Sequence, residues 1–263
     1  MRAVALHPDV LLATSAIWQT NCALVRSGPE SFVVDSPVLP DELDALPALV
    51  EQARFPEPSA LLATHADWDH LLGRLAFPGL ALGCAESTAE RLREQPGETQ
   101  RELRDFDEQH LVQRPRPLAL GAVQALPVPG SCGIGELELE LHPTAGHTAD
   151  GMAIWIPWAG VLLAGDYLSA VEIPALGGGA QPARDYRETL ARLRPLVERA
   201  THVVPGHGPA LNTERALTVL AEDLGYLDRL DAGDADAELP SGRRTRAQRA
   251  RHAANVALLR APG

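Results

Sequence analysis

Thr64-His65-Ala66-Asp67-Trp68-Asp69-His70 places two imidazoles and two carboxylates within six positions of the chain. The apolar run 59–63 before it predicts a buried strand that ends at Thr64, and the leucine-rich run 71–75 after it predicts the start of a helix. The four polar side chains therefore crowd a strand-to-helix turn. Nitrogen and oxygen donors in this mixture suit zinc, manganese or iron. We predict that the turn binds a metal cation, because a cation would neutralise its acids.

Three further segments carry potential metal ligands at or near the ends of apolar strands. His147 lies in Thr144-Ala145-Gly146-His147-Thr148, Asp166 ends Leu162-Leu163-Ala164-Gly165-Asp166, and His207 lies in Val203-Val204-Pro205-Gly206-His207-Gly208. Loops at strand ends on a rigid scaffold are where functional residues concentrate. The pattern favours one site built from several separate segments.

Taken in order, the four segments resemble the motifs of the metallo-β-lactamase superfamily. The family motifs are His-x-His-x-Asp-His, Pro-Gly-His-Thr, a strand ending in Gly-Asp, and Pro-Gly-His-Gly. The resemblance runs from about Asn21 to about Pro209. It departs from the family at Asp67, which stands where most members have a second histidine; a minority, including some phosphodiesterase and nuclease branches, carry aspartate there. The segments 144–148 and 203–209 look most like the glyoxalase II and lactonase branches.

The resemblance implies a fold and a metal centre. The fold would be mixed α+β, a four-layer αββα sandwich of two face-to-face sheets with helices outside. The centre would hold two divalent metal ions: His65, Asp67 and His147 on the first, Asp69, His70 and His207 on the second, and Asp166 bridging both. Zinc is favoured, and manganese or iron stays open because the additional carboxylate makes a harder site.

The predicted function is metal-dependent hydrolysis. A metal-bridged hydroxide would cleave a small ester, lactone or thioester, with Asp69 orienting the hydroxide. Tyr167, next to Asp166, is a candidate hydrogen-bond donor to the developing oxyanion, and packing at the strand end is its alternative role. Two divalent metals, three carboxylates and a hydroxide sum to about zero charge, which favours a neutral substrate.

Two other interpretations of the same motifs stay open. One is a phosphodiesterase of the same fold, because relatives with that activity carry the same aspartate. The other is an iron-dependent redox protein or a non-hydrolytic metal-binding member. The start of the chain has no secretory signal, which disfavours a secreted β-lactamase and predicts a cytoplasmic protein.

The amino-acid composition disfavours several classes of binding partner and of catalytic chemistry. The net charge is −12, which disfavours nucleic acid and anionic membranes and leaves a small-molecule substrate. The chain contains no lysine, which excludes Schiff-base and phosphate-loop lysine chemistry. Its three cysteines are far apart and predict no disulfide framework. No apolar run is long enough to span a membrane. Homodimers are common in the family.

Periodicity and turn residues predict the remaining elements. Strands are predicted at 3–6, 10–14, 22–26, 32–35, 59–64, 80–84, 123–128, 136–142, 152–156, 161–164 and 201–204, and helices at 40–53, 88–95, 184–199, 213–230 and from 243. A hydrolase domain would span 1–230. An acidic linker over 231–238 and an Arg-rich helix would form a segment 231–263 that packs on the same domain.

Three features have two interpretations each. Asp35 ends a strand near the metal turn, and a turn-forming role is favoured over a contact to a metal ligand. The polar segment 95–117 is interpreted as a solvated connection, with Phe106 and His110 facing substrate as the alternative. Five arginines form either a solvated helix face, which is favoured, or a docking patch for glutathione or coenzyme A thioesters: Arg243, Arg244, Arg246, Arg249 and Arg251.

Overall fold

The computed structural model describes residues 1–177, 179–234 and 237–260. Three consecutive glycines predict a flexible loop at 177–179. This loop, the predicted acidic linker 231–238 and the end of the predicted segment 231–263 lie partly outside the described residues. Within the described part, the chain forms two β-sheets and seven α-helices.

The first sheet has seven strands that lie side by side in chain order. They are β1 (Arg2–His7), β2 (Val10–Thr14), β3 (Asn21–Ser27), β4 (Glu30–Asp35), β5 (Ala60–Leu62), β6 (Leu82–Ala85) and β7 (Val123–Leu126). Strands β1 to β4 pair antiparallel through short turns, and β4 to β7 pair parallel. Parallel neighbours need long crossovers, which helical segments supply here.

The second sheet has five strands in the order β12-β11-β10-β9-β8. They are β8 (Gly130–Ile134), β9 (Leu137–Pro143), β10 (Met152–Ile156), β11 (Val161–Leu163) and β12 (His202–Val204). Only the β11–β12 pair is parallel in this sheet. Its crossover is a long helix, so β11 and β12 end at the same edge of the sheet.

Seven helices connect and cover the sheets in the described part of the chain. They are α1 (Pro40–Gln52), α2 (Gly73–Ala76), α3 (Glu86–Glu94), α4 (Glu98–His110), α5 (Pro182–Arg199), α6 (Thr213–Asp231) and α7 (Arg246–Arg260), with a short 3₁₀ turn at Trp68–His70. None of the helices in the described ranges has the length and apolar character that crossing a membrane requires.

Neighbouring residues of a strand point to opposite faces of its sheet, and their packing partners show the order of the layers. Leu12 on β2 and Ile154 on β10 belong to one apolar core between the sheets. Leu11, next to Leu12, packs on the other side with Leu46 of α1. The outer face of the second sheet buries its side chains against α5 and α6. The order helix, sheet, sheet, helix confirms the predicted four-layer αββα sandwich.

The predicted strands and helices are present with shifts of a few residues at their ends. Strand β8 was not predicted, because Gly130 and Gly133 and the small polar residues between them carry no strand signal. It pairs with β9 along its whole length, so the tertiary partner supplies what local propensity lacks.

Candidate metal centre

The predicted ligands meet where strands of both sheets end. His65 follows β5, Asp166 follows β11 and His207 follows β12. His147 lies in the turn between β9 and β10. The 3₁₀ turn after β5 places Asp69 and His70 at the same end of the strands, where both side chains are buried. The sandwich thus gathers seven side chains from separate loops.

His65, Asp67 and His147 form the first group of donors. Oδ2 of Asp67 lies 3.6 Å from Nε2 of His65 and 3.3 Å from Nε2 of His147. The ligand atoms of the three residues all lie within 4.8 Å of one another. This is the set predicted to hold the first metal.

Asp69, His70 and His207 form the second group. Oδ2 of Asp69 lies 3.8 Å from Nε2 of His70 and 3.4 Å from Nε2 of His207. Their ligand atoms also fall within 4.8 Å of one another. Two of the donor groups therefore coincide with the predicted sets, and a third group, His65, His70 and Asp166, joins them.

Asp166 lies between the two groups. Its Oδ2 is 3.3 Å from Nε2 of both His147 and His207, and its Oδ1 is 3.2 Å from Nε2 of His70. One carboxylate thus faces histidines of both sets, as a bridging ligand must. Glu172, which was not predicted, forms a further group with Asp166 and His207 at the rim.

The buried ligand atoms fit a divalent cation. Nε2 of His65, His70 and His147 and Oδ1 of Asp166 are buried and have no hydrogen-bond partner. Buried polar atoms without partners cost free energy, and each of these four is of a kind that coordinates zinc. A cation among them removes this cost. The observation supports metal binding and leaves the identity of the metal open.

The buried acids and histidines of the cluster shift one another's pKa values. Burial lowers the pKa of His147, but the carboxylates of Asp166 and Asp67, each 3.3 Å from its Nε2, outweigh burial and raise the pKa to about 10. Burial raises the pKa of Asp166, but the charges of His207 and His70 outweigh it and hold the pKa well below its usual value. Despite burial, the neighbouring carboxylates likewise raise the pKa values of His70 and His207, so these histidines favour their protonated forms beside the acids. Metal binding releases such protons.

Each of the four histidines is held through its other ring nitrogen. Nδ1 lies 3.0 Å from Thr64 Oγ1 in His65, 3.0 Å from Asp35 Oδ2 in His70, 3.2 Å from Ala175 O in His147, and 3.3 Å from Trp18 O in His207. A fixed Nδ1 turns Nε2 toward the centre, and such outer contacts orient metal-ligating histidines.

Asp35 contacts a metal ligand, whereas the sequence favoured a turn-forming role. Its φ of 56° is that of a turn residue. Its buried carboxylate, however, binds His70 and accepts hydrogen bonds from the backbone N–H and the hydroxyl of Thr64, the latter at 2.9 Å. Asp35 thereby connects β4 to the metal turn. Its position at the end of an apolar strand was the signal for this role.

Tyr167 is buried, with 3% of its surface exposed. Its hydroxyl accepts a hydrogen bond of 3.1 Å from the backbone N–H of His147, and its ring packs on that of Tyr186 at 4.5 Å between centroids. Burial raises the pKa of Tyr167, so the hydroxyl keeps its proton at neutral pH. The placement favours fixing the His147 loop, and the oxyanion contact stays a prediction.

A cleft of about 390 Å³ opens beside the metal turn. Its lining combines two tryptophans, one phenylalanine, one amide and four carboxylates: Trp18, Trp68, Phe106, Gln109, Asp67, Asp69, Glu102 and Asp105. Helix α4 forms one wall. Phe106 packs on Trp68 at 4.7 Å and on Trp18 at 4.9 Å between centroids. Segment 95–117 is exposed over most of its length, as expected of a solvated connection, but it also buries Leu103 and Phe106, and Phe106 lines the cleft.

The C-terminal arginines do not form one patch. Arg243 is fully buried and binds Asp223, Glu222 and two backbone carbonyl groups. Arg251 pairs with Glu172 at 3.0 Å. Arg244 pairs with Glu238 at 2.6 Å on the surface. Both predicted roles are therefore wrong for Arg243, because its charge is used inside the fold.

Two residues that support Asp67, Arg91 and Asp150, belong to none of the sequence motifs. Arg91 on α3 contacts Asp67, and Asp150 contacts Arg91. Asp150 lies three positions after His147, so proximity to a motif was its one available sign. Nothing in the local sequence distinguishes Arg91 from the other arginines of the chain, and it reaches the site through the packing of α3.

Comparison with known proteins agrees with this geometry. Residues 16–207 match the sequence family described as the metallo-beta-lactamase superfamily. The beta-lactamase-like protein 2 homolog of Caenorhabditis elegans is 34% identical over 77 residues, which make up 28% of this chain. That match spans 23% of the length of the curated relative.

Solved structures share the fold. A metallo-beta-lactamase family protein from Thermus thermophilus superposes with a TM-score of 0.68 at 21% identity, covering 96% of this chain and 92% of that chain. A stereoselective inverting sec-alkylsulfatase from Pseudomonas sp. gives a TM-score of 0.70 at 15% identity, covering 95% of this chain and 47% of that chain. At these identities the likeness concerns the fold alone.

Proposed function

Because the chain belongs to the metallo-β-lactamase superfamily, whose members are typically metal-dependent hydrolases, we propose that it hydrolyses a small neutral ester, lactone or thioester. One observation carries the proposal. Asp166 and six further donors converge, and four of their buried ligand atoms have no hydrogen-bond partner. Such an arrangement fits a dinuclear metal centre better than a structural cluster, because a structural cluster would pair these atoms.

Two divalent cations would be held by the two donor sets, with Asp166 between them. When bound, they supply Lewis acidity and an activated water at neutral pH. Zinc suits the nitrogen-rich donors. The cations would also offset the negative charges of Asp67, Asp69 and Asp166.

Asp69 is the proposed proton-handling residue. It lines both the donor cluster and the open cleft. Its carboxylate can accept a hydrogen bond from the attacking water and pass the proton to the leaving group. Tyr167 holds the backbone of His147 and so keeps that ligand in place.

The cleft argues for an uncharged substrate. Four carboxylates line it, and among the described residues at its wall there is no arginine. A phosphodiester or a carboxylate-bearing substrate would meet repulsion there, whereas the aromatic rings of Trp18, Trp68 and Phe106 offer apolar contact. Asp67 and Asp69 would bind metal, so Glu102 and Asp105 are the wall charges that add to the ligand charge as a reason for preferring a neutral carbonyl compound.

The C-terminal arginines do not supply the docking patch that a thioester of a large anionic carrier would need. Arg243 is buried and Arg251 is paired with Glu172. We therefore propose a small acyl thioester rather than a glutathione or coenzyme A conjugate. The cytoplasmic location, the small-molecule partner and the homodimer stay predictions.

A substrate panel tests the proposal. The metal-loaded protein is assayed with an aryl ester, a lactone, a small thioester and a bis-aryl phosphodiester, with Asp166→Asn as the inactive control. We expect a neutral carbonyl substrate to give the highest kcat/KM, and we expect chelation to abolish activity and added metal to restore it. Higher kcat/KM on the phosphodiester would make the chain a phosphodiesterase. No activity on any substrate would contradict the proposed hydrolysis.

A further inference from the structure

Asp67 is the ligand position at which this chain departs from the family motif, and its two carboxylate oxygens have different neighbours. Oδ2 faces Nε2 of His65 and Nε2 of His147 at 3.6 and 3.3 Å. Oδ1 accepts a hydrogen bond of 3.0 Å from Nη1 of Arg91. One oxygen is directed to the metal centre and the other is held from behind.

Arg91 is itself fixed in place. Its Nη1 also donates to Oδ1 of Asp150 at 2.9 Å. The other oxygen of Asp150 accepts a hydrogen bond of 3.0 Å from the backbone N–H of Ala66, the residue before Asp67. Asp150 is 3% exposed. The contacts close a ring through Ala66, Asp67, Arg91 and Asp150, which joins α3 and the His147 loop to the metal turn.

The ring solves two problems that an aspartate creates in a histidine position. A carboxylate has two equivalent oxygens, so it can rotate or chelate, whereas an imidazole presents one nitrogen. A carboxylate also carries a charge that a neutral imidazole lacks. The guanidinium occupies one oxygen through a charge-assisted hydrogen bond and stays cationic at all relevant pH values. Its charge therefore pairs directly with the carboxylate of Asp67 and leaves Oδ2 to face the metal centre.

We propose that Arg91 is a positioning residue that makes Asp67 act as a one-oxygen ligand in place of the family's histidine. The first donor set of this chain thus depends on a cation from α3 that a histidine would not need. The inference rests on metal binding by the proposed centre and is independent of the substrate that the centre hydrolyses.

Arg91→Gln tests the dependence directly. Metal content per chain and the dissociation constant of each metal are measured by competition with a chromophoric chelator, using zinc and then cobalt. We expect the first-set affinity to fall about 10- to 100-fold, as for the loss of other contacts that orient a ligand, while the second set keeps its metal. The control is Arg93→Gln, an exposed arginine on the same helix, which should bind two metals like the wild type.

A rescue variant separates positioning from folding. In Asp67→His combined with Arg91→Gln, the imidazole needs no cation, so we expect two metals and a cobalt absorption spectrum showing both sites filled. Histidine restores none of the contacts of Arg91 to Asp150, so a purely structural role predicts no rescue. Unchanged metal affinity in Arg91→Gln, a failed rescue, or loss of the fold in both variants would overturn the proposal.

The outcomes also separate this proposal from the hydrolase assignment. Wild-type protein that binds two metals, responds to Arg91→Gln as expected and hydrolyses nothing in the panel would refute the proposed function and leave the role of Arg91 intact. Wild-type protein that binds one metal, in the second set only, would overturn the role of Arg91.

Discussion

At the scale of single residues, the centre depends on what lies behind the ligands. Asp35 shows this most directly, because its carboxylate holds His70 through Nδ1 at 3.0 Å, on the side of the ring away from the donor cluster. It accepts from Thr64 as well. Losing the charge would weaken the ring orientation of His70 without removing a ligand.

We expect Asp35→Asn to lower the affinity for the second metal about 10- to 100-fold. Asparagine tolerates the left-handed φ of this position, so the backbone should keep its path. Chelator competition and a thermal melt give the affinity and the fold separately. Asp44→Asn, an exposed aspartate of α1, is the control. Wild-type affinity in Asp35→Asn would show that the contact does not serve the metal.

Tyr167 has two candidate roles that kinetics can distinguish. Removal of an oxyanion donor lowers kcat about 10²- to 10³-fold. We expect Tyr167→Phe to lower kcat less than about tenfold and the free energy of unfolding by about 1 kcal/mol, since a single hydrogen bond to the His147 backbone is lost. Tyr226→Phe, remote from the ligands, is the control. A hundredfold loss of kcat with KM and stability unchanged would restore the oxyanion role.

The side chains of the donor cluster were predictable from the sequence, whereas the residues that support them were predictable only in part. His65, Asp67, Asp69 and His70 lie together in the chain, so a local motif reveals them. Asp35 had a signal in its position at the end of an apolar strand, and Asp150 in its closeness to His147, but nothing in the sequence connects Arg91 to the site. Their roles depend on the packing of β4, α3 and the His147 loop.

At the scale of elements, α4 and β8 were the least predictable. The composition of 95–117 is polar, and the two apolar side chains of α4, Leu103 and Phe106, are too few to dominate a pattern. Both are buried, and Phe106 packs on Trp68 and holds α4 beside the cleft. The long amphipathic helices α5 and α6 were predictable, because their apolar residues recur at helical spacing over many turns.

The start of α1 offers a pH-dependent prediction. Glu42 is buried and accepts hydrogen bonds from Ser15 Oγ, Ala16 N and Leu39 N at 2.6, 2.7 and 3.2 Å. Burial raises the pKa of Glu42, but these hydrogen bonds outweigh it and hold the pKa below its usual value. A carboxylate with a lowered folded-state pKa stabilises the fold above its unfolded pKa, and the gain is lost as pH falls through the folded value.

We therefore expect Glu42→Gln to lower the free energy of unfolding by about 1–3 kcal/mol at neutral pH. The difference from wild type should shrink as the pH falls below about 4.3, the pKa of an unperturbed glutamate. Urea unfolding across this range measures it, with the exposed Asp41→Asn in the same helix turn as the control. A difference that stays constant with pH would mean that the ionised carboxylate adds nothing.

At the scale of the whole molecule, Arg243 connects the C-terminal part to the metal centre. It donates to the carbonyl groups of Ser169 and Glu172 at 3.2 and 3.0 Å and pairs with Asp223 and Glu222 of α6. Ser169 in turn donates to the carbonyl of His207 at 2.8 Å. The loop after β11 is therefore clamped between α6, the C-terminal segment and the second donor set.

Arg243→Met should be the most destabilising of these substitutions, because it leaves Asp223 buried without its partner. Breaking a buried ion pair from one side costs about 3–5 kcal/mol, whereas the surface pair of Arg244 with Glu238 is worth less than about 1 kcal/mol. Urea unfolding of Arg243→Met, with Arg244→Met as the matched control, should separate the two by at least about 2 kcal/mol.

Removing both charges gives the sharper test. In Arg243→Met with Asp223→Leu no buried charge is left alone, so part of the lost stability should return. Because the loop contacts His207 through Ser169, the single variant should also bind the second metal more weakly, and the double variant should recover this affinity only in part. Equal stability of Arg243→Met and Arg244→Met would show that the buried pair does not hold the C-terminal segment to the site.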